Sequence, residues 1–116
     1  MGNLLVEKSR AFALKSIEVY ERLKASRENI LSKQFLRSAT SIGANIAEGQ
    51  YAQSKADFLS KYSIALKEAS ETRYWMDLLK ASGYASNCKI FGDAELMCDE
   101  LIRLLVSSVK KGKETR

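Results

Sequence analysis

The sequence predicts an all-α fold, an antiparallel up-down-up-down four-helix bundle. Three observations carry that expectation. The 116 residues contain no Pro and only six Gly, so little interrupts long helices, and Ala, Leu, Lys and Glu favour them. Apolar residues recur at spacings of three and four in four separate stretches. The connections between those stretches are short, which forces neighbouring helices to run antiparallel. A chain that is 46% hydrophobic and 28% charged suits one domain around one core.

The first helix is expected from about Asn3 to Lys24, with Leu5, Val6, Phe12, Ala13, Ile17, Tyr20 and Leu23 as its apolar positions. Lys8, Lys15 and Arg22 form a heptad-spaced column on another side, partly neutralised by Glu18. The second helix covers about Ser32 to Glu48, or starts nearer Arg27. The third opens at Ser54, a capping residue, with Asp57 in its first turn. It runs to about Ala81 and stops at Gly83, a residue suited to a left-handed end. The fourth begins near Ser86 or Asn87 and runs to about Lys111, with Ile90, Ala94, Met97, Leu101, Leu104, Leu105 and Val109 inward. Gly92 weakens its first turns by about 1 kcal/mol. Residues Gly112 to Arg116 are expected to fray.

The stretch TSIGANIAEG, 40–49, is unusual for a helix in a small domain. On a helical wheel Leu31, Phe35, Ser38, Ala39, Ile42 and Ile46 face the core. Gln34, Arg37, Ser41, Asn45 and Glu48 line an adjacent polar edge, and Leu36, Thr40, Gly43, Ala44 and Ala47 form a small, uncharged sector. In the third helix Glu68 lies inside the apolar sector of Ile64, Ala65, Ala69, Thr72, Trp75, Met76 and Leu79. Folding these two helices back near 51–53 brings together residues whose numbers sum to about 105. Arg37 then faces Glu68, Gln34 faces Glu71, Asn45 approaches Lys61 and Ser41 approaches Ile64.

The expectation is a partly buried polar seam of Gln34, Arg37, Ser41, Asn45, Lys61, Glu68 and Glu71, since an unpaired buried charge costs several kcal/mol. A ligand site made by the same groups is the alternative. Gly43, Ala44, Ala47 and Trp75 form a candidate oligomer interface, because small side chains admit a second helix and apolar patches seldom face water idly. Packing inside the monomer is the alternative for these four.

Most site chemistry is excluded. His is absent, and Cys88 and Cys98 lie ten apart without a CxxC pair, so neither a zinc site nor a triad has its parts. No phosphate loop of the GxxxxGKS type occurs. No enzyme, cofactor or metal is expected, and both Cys read as small buried apolar residues. Lys8 and Arg10 interrupt the first apolar stretch, and no apolar run approaches the ~18 residues of a membrane span. A soluble cytoplasmic protein is expected.

The net charge is +5, unevenly spread. Residues 22–37 hold Arg22, Lys24, Arg27, Lys33 and Arg37 against Glu28, and the C-terminal run holds Lys110, Lys111, Lys113 and Arg116 against Glu114. The sign reverses at Asp93, Glu95, Asp99 and Glu100. Basic patches attract polyanions, although a solvated helix surface has the same look.

The run SKQFLRSATSIGANIAEGQYAQSKADFLSKYSIALKEASETRYWMDLL, 32–79, resembles the bacterial four-helix-bundle family of 23S rRNA intervening-sequence proteins, once labelled ribosomal proteins. FALKSIEVYERL, 12–23, fits as well. Gln34, Arg37, Ser41, Asn45, Glu48, Asp57, Phe58, Ala65, Glu68, Tyr74 and Trp75 match in order, and the fourth helix matches only in pattern. The resemblance implies an antiparallel four-helix bundle, often a ring-like homopentamer, with no known enzymatic activity. A related branch, the accessory protein of diversity-generating retroelements, works with a reverse transcriptase and nucleic acid. That kinship implies nucleic-acid contact.

The leading expectation is a non-enzymatic oligomeric bundle that binds RNA or another nucleic acid without sequence specificity. Its candidate phosphate contacts are Lys8, Lys15, Arg22, Lys24, Arg27, Lys33, Lys110, Lys111 and Lys113. The competing expectation is a protein-interaction or scaffolding module without a nucleic-acid partner. The acidic residues of 93–100 favour it, because they repel phosphate.

Overall fold

Four stretches of heptad-spaced small and apolar side chains wind into four helices. The computed structural model describes residues 2–114. Arg116, counted above in the C-terminal basic run, lies outside the described residues. The helices are α1 (Gly2–Ala25), α2 (Ile30–Gly49), α3 (Lys55–Ala81) and α4 (Phe91–Glu114). Among the described residues there is no strand, and no helix is long and apolar enough to cross a membrane.

Each helix packs on its neighbours in sequence, and α1 closes the square against α4. The result is a rod of 46 × 21 × 21 Å. Partners descend along one helix as they ascend along the next. Arg37 pairs with Glu71 while Glu48 pairs with Lys61, and Lys80 pairs with Glu95 while Arg73 pairs with Asp99. That ordering is antiparallel.

The core follows heptads more strictly than the apolar residues alone suggest. On α1 the buried positions are Leu5, Ser9, Phe12, Ser16, Val19 and Leu23. Ile17, expected inward, is 45% exposed, and Tyr20 is half-buried. Each lies about 100° around the helix from a buried neighbour, and small serines take the inward places instead. On α4 Cys98 is buried rather than Met97, beside Phe91, Ala94, Leu101, Leu105 and Val109. On α3 Leu59 and Tyr62 join Ala65, Ala69, Thr72, Met76 and Leu79, whereas Ile64 is exposed.

Serine and threonine in the core need internal partners. Thr72 Oγ1 lies 2.8 Å from both Ser38 Oγ and the Glu68 carbonyl, and Ser38 Oγ lies 3.1 Å from the Phe35 carbonyl. These contacts tie the middle of α2 to the middle of α3. Ser9 donates to the Val6 carbonyl at 3.2 Å.

The helix ends explain the boundaries. α2 starts at Ile30, two residues before Ser32, because Glu28 caps it. The buried Glu28 carboxylate accepts from the backbone N–H groups of Ile30, Leu31 and Ser32 at 3.1, 3.0 and 2.7 Å. Ser32 Oγ donates back to the Glu28 carbonyl at 3.0 Å. Just before it, Arg27 takes a left-handed φ of 71° to turn the chain. α3 starts as expected, with Ser54 Oγ accepting from Asp57 N–H at 3.0 Å. α4 starts at Phe91, later than expected, because residues 82–87 and 89–90 form turns instead of continuous helix. Ala85 and Cys88 within that connection are buried and close the core's end. α4 continues past Gly112, beside Leu59, to Glu114, and positions 115–116 of the stretch expected to fray lie outside the described residues.

The glycines of α2 differ in necessity. A Cβ on Gly49 meets the Tyr62 ring at 2.8 Å. That ring is fixed by stacking on Phe58 and by a 2.7 Å bond donated from Gln50 Nε2. A Cβ on Gly43 meets only ordinary contacts, with Ser9 at 3.5 Å. Gly49→Ala is therefore expected to destabilise by about 1–3 kcal/mol. Gly43→Ala is expected to be neutral or to stabilise by up to about 1 kcal/mol. Urea unfolding of both variants checks the pair, and equal stabilities contradict the packing.

Burial opposes ionisation of Glu28, but the backbone bonds from Leu31 and Ser32, the Ser32 hydroxyl and Ile30 outweigh it and lower its pKa below 4.5. The ionised cap stabilises fully above the unfolded value, and that contribution fades as pH falls through the lower folded value. Glu28→Ala is expected to lose about 1–2 kcal/mol at neutral pH. The gap from the parent should shrink in acid, which unfolding midpoints at pH 7 and in the acid range compare.

Candidate nucleic-acid interface and polar seam

Between α2 and α3, one guanidinium collects several oxygens. Arg37 Nη1 lies 3.6 Å from Glu68 Oε1, Nη2 pairs with Glu71 Oε2, and Nε donates to Gln34 Oε1 at 3.3 Å. Glu71 Oε2 also accepts from Trp75 Nε1 at 2.9 Å. Lys61 pairs with Glu48 at 3.1 Å, and Asn45 Nδ2 donates to the Ser41 carbonyl at 2.9 Å.

Two expected partnerships differ. Gln34 holds Arg37 rather than Glu71, and Asn45 turns onto its own helix rather than toward Lys61. The cause is the turn after α2. Residues 50–52 keep winding, with N–H groups of Gln50, Tyr51 and Ala52 bonded to the carbonyls of Ala47, Glu48 and Gly49. The chain reverses nearer Gln53 and Ser54, which shifts the pairing by about one helical turn. The seam is also more open than expected. The Arg37 side chain is 48% exposed and that of Glu68 is 22% exposed, because Ser38 and Thr72 occupy the interior beneath. The Glu68 Oε1 atom is nevertheless shielded and makes no hydrogen bond, so the Arg37 charge at 3.6 Å offsets its burial.

The four candidate interface residues do not share one surface. Gly43, Ala44 and Ala47 line a shallow groove of about 250 Å³ between α1 and α2, facing Val6, Ala13 and Thr40. Trp75 lies on the α2–α3 flank, half-buried, bonded to Glu71 and edge-on to Tyr74. Exposed Leu14 and Ile17 of α1 extend the apolar α1 surface.

The candidate phosphate contacts separate in the same way. Lys8 is held by Glu100 at 3.1 Å across α1 and α4. Lys15 and Arg22 share Glu18 at 3.9 and 3.3 Å, and Lys24 approaches Glu21 at 3.9 Å. Arg27, Lys33, Lys110, Lys111 and Lys113 make no ion pair among the described residues. The first two of these sit where α1 meets α2, and the three lysines sit at the opposite end of the rod, beside the start of α3.

Arg73 has a part that the sequence did not reveal. Its Nη1 lies 3.0 Å from Glu95 and its Nε 3.2 Å from Asp99, with Asp77 at 3.7 Å. Lys80 adds a contact to Glu95 at 3.4 Å. Burial disfavours the Arg73 charge, but the Glu95 hydrogen bond and the Asp99, Asp77 and Glu95 charges outweigh it and raise its pKa. Together with Lys8, this network neutralises most of the acidic 93–100 run. A spacing of 22 residues between Arg73 and Glu95 carries no local signal.

Both thiols are free and buried. Burial pushes Cys98 up to about 12 and raises Cys88 as well, so neither is a thiolate at neutral pH.

Arg73→Met is expected to destabilise by about 1–3 kcal/mol, because Glu95 is only 13% exposed and loses its main partner. Arg37→Met, whose partners Glu68 and Glu71 are more exposed than Glu95, should cost less, about 1 kcal/mol. Denaturant midpoints rank the two, and a reversed order contradicts this reading of burial.

Comparison with known proteins places the chain. No curated protein matches it. A crystal structure of a protein with unknown function from the S23 ribosomal protein family, from Bacteroides thetaiotaomicron VPI-5482, is similar at 43% identity. The alignment covers 94% of this chain and 97% of that one, with a TM-score of 0.88. Residues 3–107 match the family described as 23S rRNA-intervening sequence protein. Four heptad-patterned helices and a family match over nearly the whole length lead to one assignment: the chain belongs to the 23S rRNA-intervening sequence protein family.

Proposed function

We propose that this protein is a non-enzymatic, self-associating bundle that binds RNA or another nucleic acid through the basic ends of the rod. One observation carries the reading. The acidic residues of 93–100 are largely spent on Arg73, Lys80 and Lys8, while Arg27 and Lys33 at one end and Lys110, Lys111 and Lys113 at the other have no acidic partner among the described residues. The charge left for an outside polyanion is therefore cationic, with these clusters at the two ends and single exposed cations, Arg10, Lys67 and Arg103, along the flanks. The proposed place of action is the cytoplasm.

Self-association uses the α1–α2 groove. Gly43 has room for a methyl group within the monomer, and Ala44 and Ala47 are exposed, so packing within the chain does not demand small residues there. A second copy does. The resemblance points to a pentamer, and repeating one weak basic patch raises avidity. The same groove supports a second reading, a protein-interaction module, if the partner is a different chain.

For about four phosphate contacts, RNA affinity should fall roughly a hundredfold between 50 and 200 mM salt. Reversing Lys110, Lys111 and Lys113 to Glu should weaken it across all sequences. Gel shifts in a salt titration read both effects, and no shift even at low salt leaves only the interaction module. Ala44→Glu should reduce the mass found by light scattering while helix content stays constant.

A further inference from the structure

We infer that the pocket between the last turn of α1 and the α3–α4 connection is a nucleotide subsite, which takes one unpaired base and its phosphate from a single strand. The inference rests on the nucleic-acid reading above and narrows it to one end of the rod and one strand class.

The pocket measures about 150 Å³, the scale of one planar ring system and not of a duplex. Leu23 and Cys88, both buried, form its apolar floor. Arg22, Ser26, Gly83, Tyr84 and Asn87 complete the lining. Tyr84 is 45% exposed. Among the described residues its ring stacks on no other aromatic and its hydroxyl makes no hydrogen bond. The Asn87 amide is likewise unpaired, which leaves a donor and an acceptor for a base edge. An aromatic face, a guanidinium plane and a free amide around an apolar floor match the needs of a splayed base.

Of the cations at this end, Arg22 lines the pocket, and Arg27 and Lys89 are chain neighbours of lining residues. Arg27 directly follows Ser26 in the chain and Lys89 directly follows Cys88, and neither has an acidic partner among the described residues. Arg22 is held only by exposed Glu18 at 3.3 Å, a weak pair that a phosphate can replace. The other anion-binding feature at this end, the N-terminus of α2, is already filled by the Glu28 carboxylate. A phosphate arriving here therefore meets side chains. Among the described residues, the pocket at the opposite end, where Lys113 borders Ala56, Leu59, Ser60 and Ser63, is lined by no aromatic. A paired base hides its face and its edge, so the pocket selects single strands.

The test measures fluorescence anisotropy of a labelled oligoadenylate and of its duplex with oligouridylate, using the full chain. The single strand should bind about tenfold more tightly than the duplex. Tyr84→Ala should lose roughly 5- to 150-fold on the single strand, the range of one base–aromatic stack, with the duplex unaffected. Tyr84→Phe should retain the parent's affinity, and circular dichroism confirms that both variants fold. If Tyr84→Ala binds as the parent does while binding stays salt-dependent, the pocket assignment is wrong and the nucleic-acid reading stands. Absence of binding to either form overturns both. Displacement by adenosine monophosphate at the oligomer's own nucleotide concentration overturns the strand assignment in favour of free nucleotides.

Discussion

The close approach of α2 to α3 underlies the rest of the structure. Thr72 and Ser38 meet at 2.8 Å in the interior, a distance that large side chains at either position forbid. A polar contact there is tolerated because each hydroxyl finds a partner, either the other hydroxyl or a carbonyl of its own helix. Gly49 repeats the requirement at the end of α2, where the Tyr62 ring occupies the volume of a side chain. Once these two helices are locked at that separation, the Arg37 guanidinium falls between Glu68 and Glu71. The seam is thus a rim over a tight interior, and its exposure follows from what lies beneath it.

Charge is distributed by the same geometry. The long flanks of the rod bring many oppositely charged side chains within reach, as with Arg73 and Glu95 or Lys8 and Glu100. At the ends, Arg27, Lys33, Lys110, Lys111 and Lys113 make no ion pair among the described residues. Part of a modest net charge of +5 thereby gathers into terminal clusters.

Glu28 shows how one residue changes the meaning of a cluster. As a sequence neighbour of Arg27 and Lys33 it looks like a counter-charge. In the fold it turns inward onto three backbone N–H groups. It therefore subtracts little from the surface potential outside, while it occupies the site where a phosphate would otherwise bind a helix N-terminus. The basic side chains around the Tyr84 pocket are left as the anion-binding groups at that tip.

The sequence by itself determined the helices, their approximate limits, the Ser54 cap and the opposition of Arg37 to Glu68. Those features depend on period, on residues within one turn of each other, and on a short connection that tolerates an error of one turn. Tertiary structure alone decided that Val19 and Cys98 fill the core in place of Ile17 and Met97, since crossing helices select a heptad seam rather than the most apolar arc. It also decided that Arg37 reaches Glu71, because residues 50–52 wind on before the reversal, and that Arg73 silences the acidic run. These pairings join side chains far apart in the chain, and their distances depend on where each helix reverses and how closely it packs, quantities that no local pattern encodes.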